Sequence, residues 1–297
     1  MKERKEVDEV KEVKELEEKT GRVAAFFDLD GTLVALPSVE RRYFRMLRHR
    51  RGIPARNYFL WLKEALRLLT RGIDGILYAN KMYLRGVQIL DERGNRDVEV
   101  SSWHKDGHQA EGQASAPPRR NPRLPVPSFF APAIEAVAWH ARQGHELVLI
   151  SGTLEPLARG AARALQMELA ARGIAVTIRV IATRLEEMDG RWTGRILGEA
   201  MFGNAKARAA KRLAEELRLD LGRCYAYGDG LHDRWLMEAV GRATAVNPSR
   251  ELAEIARTRG WPVLNWEGEK SLMQRAQRSR RAGQCDGITS RFQRAER

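Results

Sequence analysis

Two aspartates one residue apart, Asp28 and Asp30, carry the most informative chemistry in this chain of 297 residues. They follow the apolar run 23–27 and precede Gly31-Thr32, a pattern that predicts a buried strand ending in a tight turn. Alternate residues of an extended chain point the same way, so both carboxylates can face one site. One can attack phosphorus while the other handles the proton on the leaving oxygen. The alternative is a strand followed by an ordinary acidic turn.

A second segment, Ser151-Gly152-Thr153, follows the predicted strand 145–150. A hydroxyl together with the backbone amides of small residues at a helix start can hold a phosphate group. The same triplet is also an ordinary helix cap, so this segment alone is a weak signal.

A third segment places Lys206 at the start of the predicted helix 205–217. A lysine near a helix N-terminus opposes the helix dipole, so a structural reason for it is poor. Its ammonium can instead hold a phosphoryl oxygen and offset the repulsion between that group and Asp28. The alternatives are an ordinary surface lysine and a competing role for Lys211, one turn further along.

A fourth segment brackets Asp229 between Gly228 and Gly230, after the predicted strand 224–227. Flanking glycines let the backbone approach a ligand closely. Asp229 can complete an oxygen shell for Mg²⁺ with Asp28 and the carbonyl of Asp30. Asp233, four residues on, is another ligand or an orienting group. The alternative is an acidic turn with Asp233 in the first turn of the next helix.

Strands and helices alternate from residue 129 to residue 264. This order predicts an α/β fold with a Rossmann-like, mostly parallel sheet and helices on both faces. Asp189-Gly190 between two polar–apolar runs predicts a hairpin over 184–196. The predicted strands are 145–150, 174–181, 224–227, 243–246 and 262–264, and the predicted helices are 132–143, 154–171, 205–217, 232–240 and 249–257.

Composition divides the chain into four parts. Residues 38–92 read as helical and Arg-rich, with an apolar face and a basic flank, which indicates either ordinary packing as a small helical domain or a pocket or membrane-facing role. His104 and His108 could pair on a metal, but no neighbouring pattern supports that. The predicted parts are a charged extension (1–20), a discontinuous catalytic core (21–36 and 126–266), a helical cap (37–125) with a flexible insertion (93–125), and a basic flexible tail (267–297).

The charge balance is strongly basic, with a formal net charge of +13 at pH 7. Such a balance favours anionic partners, unless it only reflects an Arg-rich proteome. Two cysteines are too few for a disulfide framework or a Cys-based zinc site. The N-terminus has no apolar signal-peptide core, and no stretch is long and apolar enough to span a membrane. We therefore expect a cytoplasmic protein without a transmembrane segment.

Four motifs in order resemble those of the haloacid dehalogenase-like (HAD) phosphatase superfamily: DLDGT (28–32), SGT (151–153), Lys206 in GNAK, and GDGLHD (228–233). The resemblance spans residues 21–36 and 129–266. Two stretches, 189–198 and 239–264, are similar to a bacterial group of the phosphoserine-phosphatase-like branch, the HAD-IB family hydrolases. In that branch a helical cap lies between the first two motifs.

This resemblance implies a role for each acid. Asp28 would be the nucleophile that forms an aspartyl-phosphate, and Asp30 would protonate the leaving alcohol and then activate water. Mg²⁺ would be held by Asp28, the Asp30 carbonyl and Asp229, and Asp233 would support the metal.

The resemblance also implies a phosphate site. Ser151 and Lys206 would bind phosphoryl oxygens, with the amides near Gly152 helping. The chain departs from the phosphoserine phosphatases at the ninth position after the nucleophile, where they carry an acid that meets the substrate amine. Here that position is Pro37, with Glu40 three residues further on, and His232 stands where the branch often has Asn.

We therefore predict a Mg²⁺-dependent phosphomonoester hydrolase that acts on a phosphorylated small-molecule or lipid-like substrate. The basic, apolar cap favours a bulky or lipid-like organic phosphate. One alternative is a phosphoserine phosphatase, and another is a basic nucleic-acid- or membrane-surface-binding protein with a silent site. No aromatic-interleaved recognition motif is visible, so no specific nucleic-acid partner is expected. The oligomeric state cannot be read from the sequence.

Overall fold

A computed structural model describes residues 21–69, 79–89 and 128–268. The predictions for the extension 1–20, for the insertion 93–125 with His104 and His108, and for the tail beyond residue 268 lie outside these ranges. Within the described ranges, no helix combines the length and the apolar character needed to cross a lipid bilayer. The cytoplasmic location stays a prediction.

Six parallel strands form the central sheet in the order β3-β2-β1-β6-β7-β8. Parallel sheets are covered on both faces, and their strands read as nearly continuous apolar runs. Strand β1 shows this pattern, since all four of its residues are buried. The strands are β1 Ala24–Phe27, β2 Glu146–Leu154, β3 Ile178–Thr183, β6 Tyr225–Gly228, β7 Arg242–Val246 and β8 Val263–Leu264.

Helices cover both faces of this sheet. Phe27 and Leu149 point into one apolar cluster, and Phe26 and Val148 point into the other, as the two-residue period of a strand requires. The first cluster receives side chains of α3 and α4, and the second those of α5, α6 and α7. These helices are α3 Ala131–Arg142, α4 Glu155–Ala170, α5 Asn204–Leu217, α6 Arg234–Glu238 and α7 Arg250–Arg259. The α/β, Rossmann-like fold class predicted from the sequence is confirmed.

The described part of the predicted cap contains α1 Val39–His49, α2 Arg56–Leu68 and a short 3-10 helix Met82–Leu84. The predicted hairpin is present as β4 Leu185–Met188 and β5 Arg191–Ile196. Its turn residues, Asp189 and Gly190, both have positive φ, as a type I′ turn requires.

The hairpin packs on the cap segment rather than on the central sheet. Trp192 lies edge-on against Tyr43 of α1 with 6.3 Å between ring centroids. The Gly86 amide donates to the Trp192 carbonyl (2.7 Å), and the Trp192 amide donates to the Val87 carbonyl (3.0 Å). Asn57 connects α2 to the same segment, because its side-chain amide donates to the carbonyls of Tyr83 and Arg85. The hairpin thereby ties cap and core together.

Two strand boundaries differ from the sequence prediction by four residues. Strand β2 runs through the Ser-Gly-Thr triplet to Leu154, because Ser151 and Leu154 still pair with β3 across a register shift. Strand β3 begins at Ile178, four residues later than predicted. These boundaries depend on which strand pairs with which, and the apolar pattern of one segment carries no information about its pairing partner.

A buried histidine sits under the end of β6. His140 is fully buried, with its Nε2 2.9 Å from the Tyr227 hydroxyl and its Nδ1 2.8 Å from Nδ1 of His145. Burial, and secondarily His145, lowers the pKa of His140 to about 3. The imidazole is therefore neutral in the folded protein under ordinary conditions.

His140 should lower stability as the solution is acidified. Because its folded-state pKa lies below the unfolded value, the unfolded chain takes up a proton that the folded chain does not. This contribution is negligible above about pH 7 and reaches about 2 kcal/mol at about pH 5. Urea unfolding at both pH values, compared with His140→Gln, isolates it because all other groups titrate in both proteins. An identical pH dependence in the two proteins would contradict this assignment.

Candidate active site

The four predicted motifs meet at the carboxyl ends of β1, β2 and β6. Open α/β sheets place their ligand sites at this edge. Strand β1 lies between β2 and β6, with Phe27 paired to both Leu149 and Tyr227. Asp28 extends this ladder by one bond, since its amide donates to the Tyr227 carbonyl (3.0 Å). The backbone that carries Asp28 is therefore held on the sheet.

Lys206 joins two acids that lie far apart in sequence. Its Nζ donates to Asp28 Oδ1 (2.5 Å) and to Asp233 Oδ1 (2.6 Å). All three side chains are buried. Charge-assisted bonds of this kind are strong, and breaking a buried ion pair costs about 3–5 kcal/mol. Lys211, the competing lysine, is exposed on α5 and takes no part in this arrangement.

Asp229 closes the carboxylate cluster. Asp28, Asp229 and Asp233 each offer an oxygen within 4.8 Å of the others. Asp229 passes so close to Gly31 that a Cβ there would come 2.0 Å from Asp229 Oδ2. The second oxygen of Asp233 accepts the amides of Asp229 (3.2 Å) and Gly230 (3.0 Å). Asp233 thereby fixes the loop that carries Asp229.

The Asp30 side chain is held outside this cluster. Its Oδ1 accepts the Val39 amide at the start of α1 (2.7 Å), and its Oδ2 accepts the Thr153 hydroxyl (2.8 Å). The predicted contact of Asp30 with the metal uses its backbone carbonyl. The two side-chain hydrogen bonds therefore neither support nor contradict that prediction. They also connect the cap, through Val39, directly to Asp30.

Burial shifts the pKa values of these acids upward. It raises the pKa of Asp28 to about 7, against the attraction of Lys206 and with the help of Asp233. Burial and then Asp28 raise the pKa of Asp229 well above 3.8. Burial also raises the pKa of Asp30, while the bonds from Val39 and Thr153 lower it. For Lys206, burial opposes the charge, but Asp233 and Asp28 outweigh it and raise the pKa.

The donor set fits a hard divalent cation. Asp28, Asp229 and Asp233 supply carboxylate oxygens, the ligands that Mg²⁺ prefers. Three carboxylates face the single ammonium of Lys206, and burial, with a smaller contribution from the neighbouring acids, raises the pKa values of Asp28 and Asp229. A bound cation would offset the excess of negative charge.

Ser151 and Gly152 lie near the carboxyl end of β2, just before α4 begins. Ser151 is buried, and its hydroxyl accepts the Thr153 amide (3.1 Å). The Gly152 carbonyl accepts the Thr183 hydroxyl (2.8 Å), which in turn accepts the Met201 amide (3.1 Å). These hydrogen bonds hold the triplet in place beside β1. Its role in binding phosphate stays a prediction.

The sequence analysis assigned no role to two side chains at the site. Thr153 binds Asp30, as described above. Asn247 donates from Nδ2 to the Gly31 carbonyl (2.9 Å), while its Oδ1 accepts the amides of Trp266 (2.7 Å) and Glu267 (3.0 Å). The Asn-Pro-Ser sequence directly after a predicted strand was the available signal for Asn247, since that is where loop residues reach this edge.

A second polar cluster lies in the cap near Asp30. Glu40 accepts the Tyr83 hydroxyl (2.7 Å) and also binds the ammonium of Lys81. Glu40 adds to the raised pKa of Asp30 and directly follows Val39, whose amide donates to Asp30. Lys81 is buried, which makes this ion pair part of the inner surface of the cap.

A cavity of about 1090 Å³ borders the site between α2 and the loop that leads into α5. Its walls include Ala205 and His232, the neighbours in sequence of Lys206 and Asp233. Phe202 meets the His232 ring edge-on at 5.8 Å, and Trp235 stacks on it at 6.4 Å. His232, which departs from the usual Asn, therefore belongs to an aromatic wall. A smaller cavity of about 370 Å³ lies at the hairpin.

Comparison with known proteins agrees with this geometry. The sequence profile of the haloacid dehalogenase-like hydrolase family matches residues 25–238. A Mycobacterium tuberculosis protein named phosphoserine phosphatase SerB1 is 32% identical over 248 residues, covering 82% of this chain and 70% of its own. A probable phosphatase of the same species is 30% identical over 258 residues, covering 86% and 79%.

A solved structure shares the fold. The crystal structure of a Bordetella pertussis protein with unknown function matches with a TM-score of 0.56 and 26% identity, covering 83% of this chain and all of that one. The profile match includes Asp28, Ser151, Lys206 and Asp229, and it spans most of the chain. The prediction of a phosphatase of this superfamily is confirmed, and the chain belongs to the haloacid dehalogenase-like hydrolase family.

Proposed function

We propose that this protein is a Mg²⁺-dependent phosphomonoester hydrolase that acts through an aspartyl-phosphate on Asp28. One observation carries the proposal: Lys206 holds Asp28 and Asp233 together, with Asp229 within reach of both. The intact arrangement argues against a binding protein with a silent site. Residues 37–125 are assigned to the cap of this hydrolase.

The first step uses Asp28 and Asp30. Lys206 fixes Asp28 Oδ1, and we assign the attack on phosphorus to Oδ2. A bond forms between Oδ2 and phosphorus while the bond from phosphorus to the leaving oxygen breaks. Asp30, whose pKa is raised by burial, gives its proton to that oxygen, so the alcohol leaves neutral.

The second step returns the enzyme to its starting state. The Asp30 carboxylate takes a proton from a water molecule that attacks the phosphorus of the aspartyl-phosphate. The bond between phosphorus and Asp28 then breaks and releases inorganic phosphate. The bonds from Val39 and Thr153 hold Asp30 in one place during both steps, which supports the exchange of acid and base roles.

Asp28, Asp229 and the Asp30 carbonyl are the proposed holders of Mg²⁺, with Asp233 orienting Asp229. The cation supplies electrostatic stabilisation of the phosphoryl group and of the carboxylate beside it. Ser151, the amide near Gly152 and Lys206 are assigned to the phosphoryl oxygens. Lys206 remains close to Asp28 in this assignment, so it offsets the repulsion between nucleophile and phosphate.

The cavity beside His232 supports a bulky organic phosphate. Its volume of about 1090 Å³ is at the upper end of ordinary ligand sites. Phe202 and Trp235 give one part of its wall an aromatic character, while charged residues such as Arg195 line another part. This combination suits an extended leaving group with both apolar and polar parts, including a lipid-like one.

Phosphoserine is the second candidate substrate. It is favoured by the relative named phosphoserine phosphatase SerB1 and by Glu40, an acid on the cap near Asp30. In this chain, Lys81 and Tyr83 already bind Glu40, so an incoming amine must compete with Lys81 for that carboxylate.

A screen of phosphate esters with Mg²⁺ tests the proposal, with lysophosphatidate and phosphoserine assayed side by side. We expect hydrolysis that stops when the metal is chelated and that falls at least ~10³-fold in Asp28→Asn. Efficient turnover of phosphoserine alone would remove the bulky substrate from consideration. Activity that survives in Asp28→Asn would overturn the proposal itself.

Replacing the general acid should matter only where the leaving group needs a proton. Asp30→Asn should lower kcat on an alkyl phosphate by roughly 10²–10⁴-fold. With p-nitrophenyl phosphate it should still release nitrophenol in one rapid burst and then stall, because the hydrolytic water lacks its base. Asp28→Asn, the matched control, should give no burst. Steady alkyl phosphate turnover by Asp30→Asn would refute the role of Asp30.

A methyl group at Gly31 should displace Asp229. Gly31 has φ of +94°, and its added Cβ would lie 2.0 Å from Asp229 Oδ2. We expect Gly31→Ala to lose about 100-fold in kcat through misplacement of Asp229. Gly190→Ala is the matched control, because Gly190 also has positive φ but no atom within 4 Å of an added Cβ. Equal activity losses in the two variants would show that backbone strain, not Asp229, is responsible.

A further inference from the structure

Helix α2 exposes an apolar stripe on the side turned away from the cap interior. Phe59 is 76% exposed, Leu66 61%, Leu69 57% and Leu62 52%. Their spacing of three, four and three residues places them on one face of the helix. The opposite face is occupied by Asn57, Ala65 and Leu68, which are buried. Amphipathic surface helices of globular proteins present polar residues to solvent, so this outward stripe needs another explanation.

A basic stripe runs beside the apolar one. Arg56, Lys63 and Arg67 are exposed, and their spacing of seven and four residues places them along one line next to Phe59 and Leu66. Arg67 pairs with Glu64 on the same helix (2.6 Å), so Arg56 and Lys63 are the better candidates for an external anion. An apolar face with Phe and Leu beside Lys and Arg is the pattern of a helix that lies in a membrane interface.

The charge of the whole segment agrees with an anionic partner. Both acids of residues 39–69 are engaged, Glu40 by Lys81 and Glu64 by Arg67. An anionic lipid surface attracts clustered cations of this kind. The segment contains nine Lys and Arg residues and two acids, Arg41, Arg42, Arg45, Arg48, Arg50, Arg51, Arg56, Lys63 and Arg67 against Glu40 and Glu64.

We propose that the apolar stripe of α2 and its basic neighbours dock the cap on an anionic lipid membrane surface. The helix lies along the interface with Phe59, Leu62, Leu66 and Leu69 among the acyl chains and Arg56 and Lys63 at the headgroups. The inference goes beyond the hydrolase proposal and does not depend on it. It concerns how the protein attaches to a membrane surface, not the reaction at the sheet edge.

Co-sedimentation of the full-length protein with vesicles tests this proposal. Vesicles of phosphatidylcholine mixed with phosphatidylglycerol should bind the protein, and vesicles of phosphatidylcholine alone should bind it much less. Binding should weaken with added salt but not vanish, because the apolar contribution is not screened. Absence of binding to the anionic vesicles would overturn the proposal.

Two pairs of variants separate the two parts of the surface. Leu62→Gln with Leu66→Gln should weaken binding at least ~10-fold. Met167→Gln with Met188→Gln, at residues outside α2 that are at least as exposed, should leave it unchanged. Arg56→Gln with Lys63→Gln should weaken binding roughly 30-fold. Lys211→Gln with Arg212→Gln, which removes the same charge from α5, should have little effect. All eight substitutions in these four variants lie on exposed residues, and circular dichroism checks that each variant folds.

Three results would contradict the proposal. Equal losses in the α2 and α5 charge variants would indicate general electrostatic adsorption. Retained binding after Leu62→Gln with Leu66→Gln would mean that the apolar stripe does not enter the membrane. A vesicle-free dimer in analytical ultracentrifugation that this same pair of substitutions dissociates would assign the stripe to a second copy of the chain. The readout is binding alone, so failure of the hydrolase assay would not affect it.

Discussion

The buried ammonium of Lys206 is the interaction on which the site depends. It bonds to Asp28, 178 residues away in sequence, and to Asp233, 27 residues away. Without that positive charge, desolvated acids would face one another across a few ångströms, and their ionised forms would be strongly disfavoured. Lys206 thus does two things with one group. It permits the carboxylates to share a small volume, and it fixes which oxygen of Asp28 is occupied.

Hydrogen bonds from the surrounding loops hold these charged side chains in fixed positions. Asp233 holds the Asp229 loop through two amides, and Asn247 links the Gly31 carbonyl to the Trp266 amide in the segment after β8. Asp30 is held from the core by Thr153 and from the cap by Val39. The first residue of α1 therefore contributes directly to the surroundings of the general-acid candidate Asp30.

The sequence was most informative where chemistry depends on near neighbours in the chain. Asp28 with Asp30, and Asp229 with Asp233, are short patterns at predicted strand ends, and topology brings such ends together. Thr153 and Asn247 were missed because their partners, Asp30 and Gly31, lie more than a hundred residues away. The sequence left open whether the apolar face of residues 38–92 packs inward or faces a pocket or a membrane. Its three- and four-residue spacing fits core packing equally well, and only the position of Ala65 and Leu68 shows which face is inside.

The central claim is that Asp28 becomes phosphorylated during turnover. The most direct measurement is peptide mass spectrometry of protein quenched with acid during the hydrolysis of a phosphate ester. The account predicts the added mass of one phosphoryl group on the peptide that contains Asp28, and none on the peptides with Lys206, Ser151 or His232. A phosphoryl group trapped on any other residue, or rapid turnover with no phosphorylated peptide at all, would contradict it.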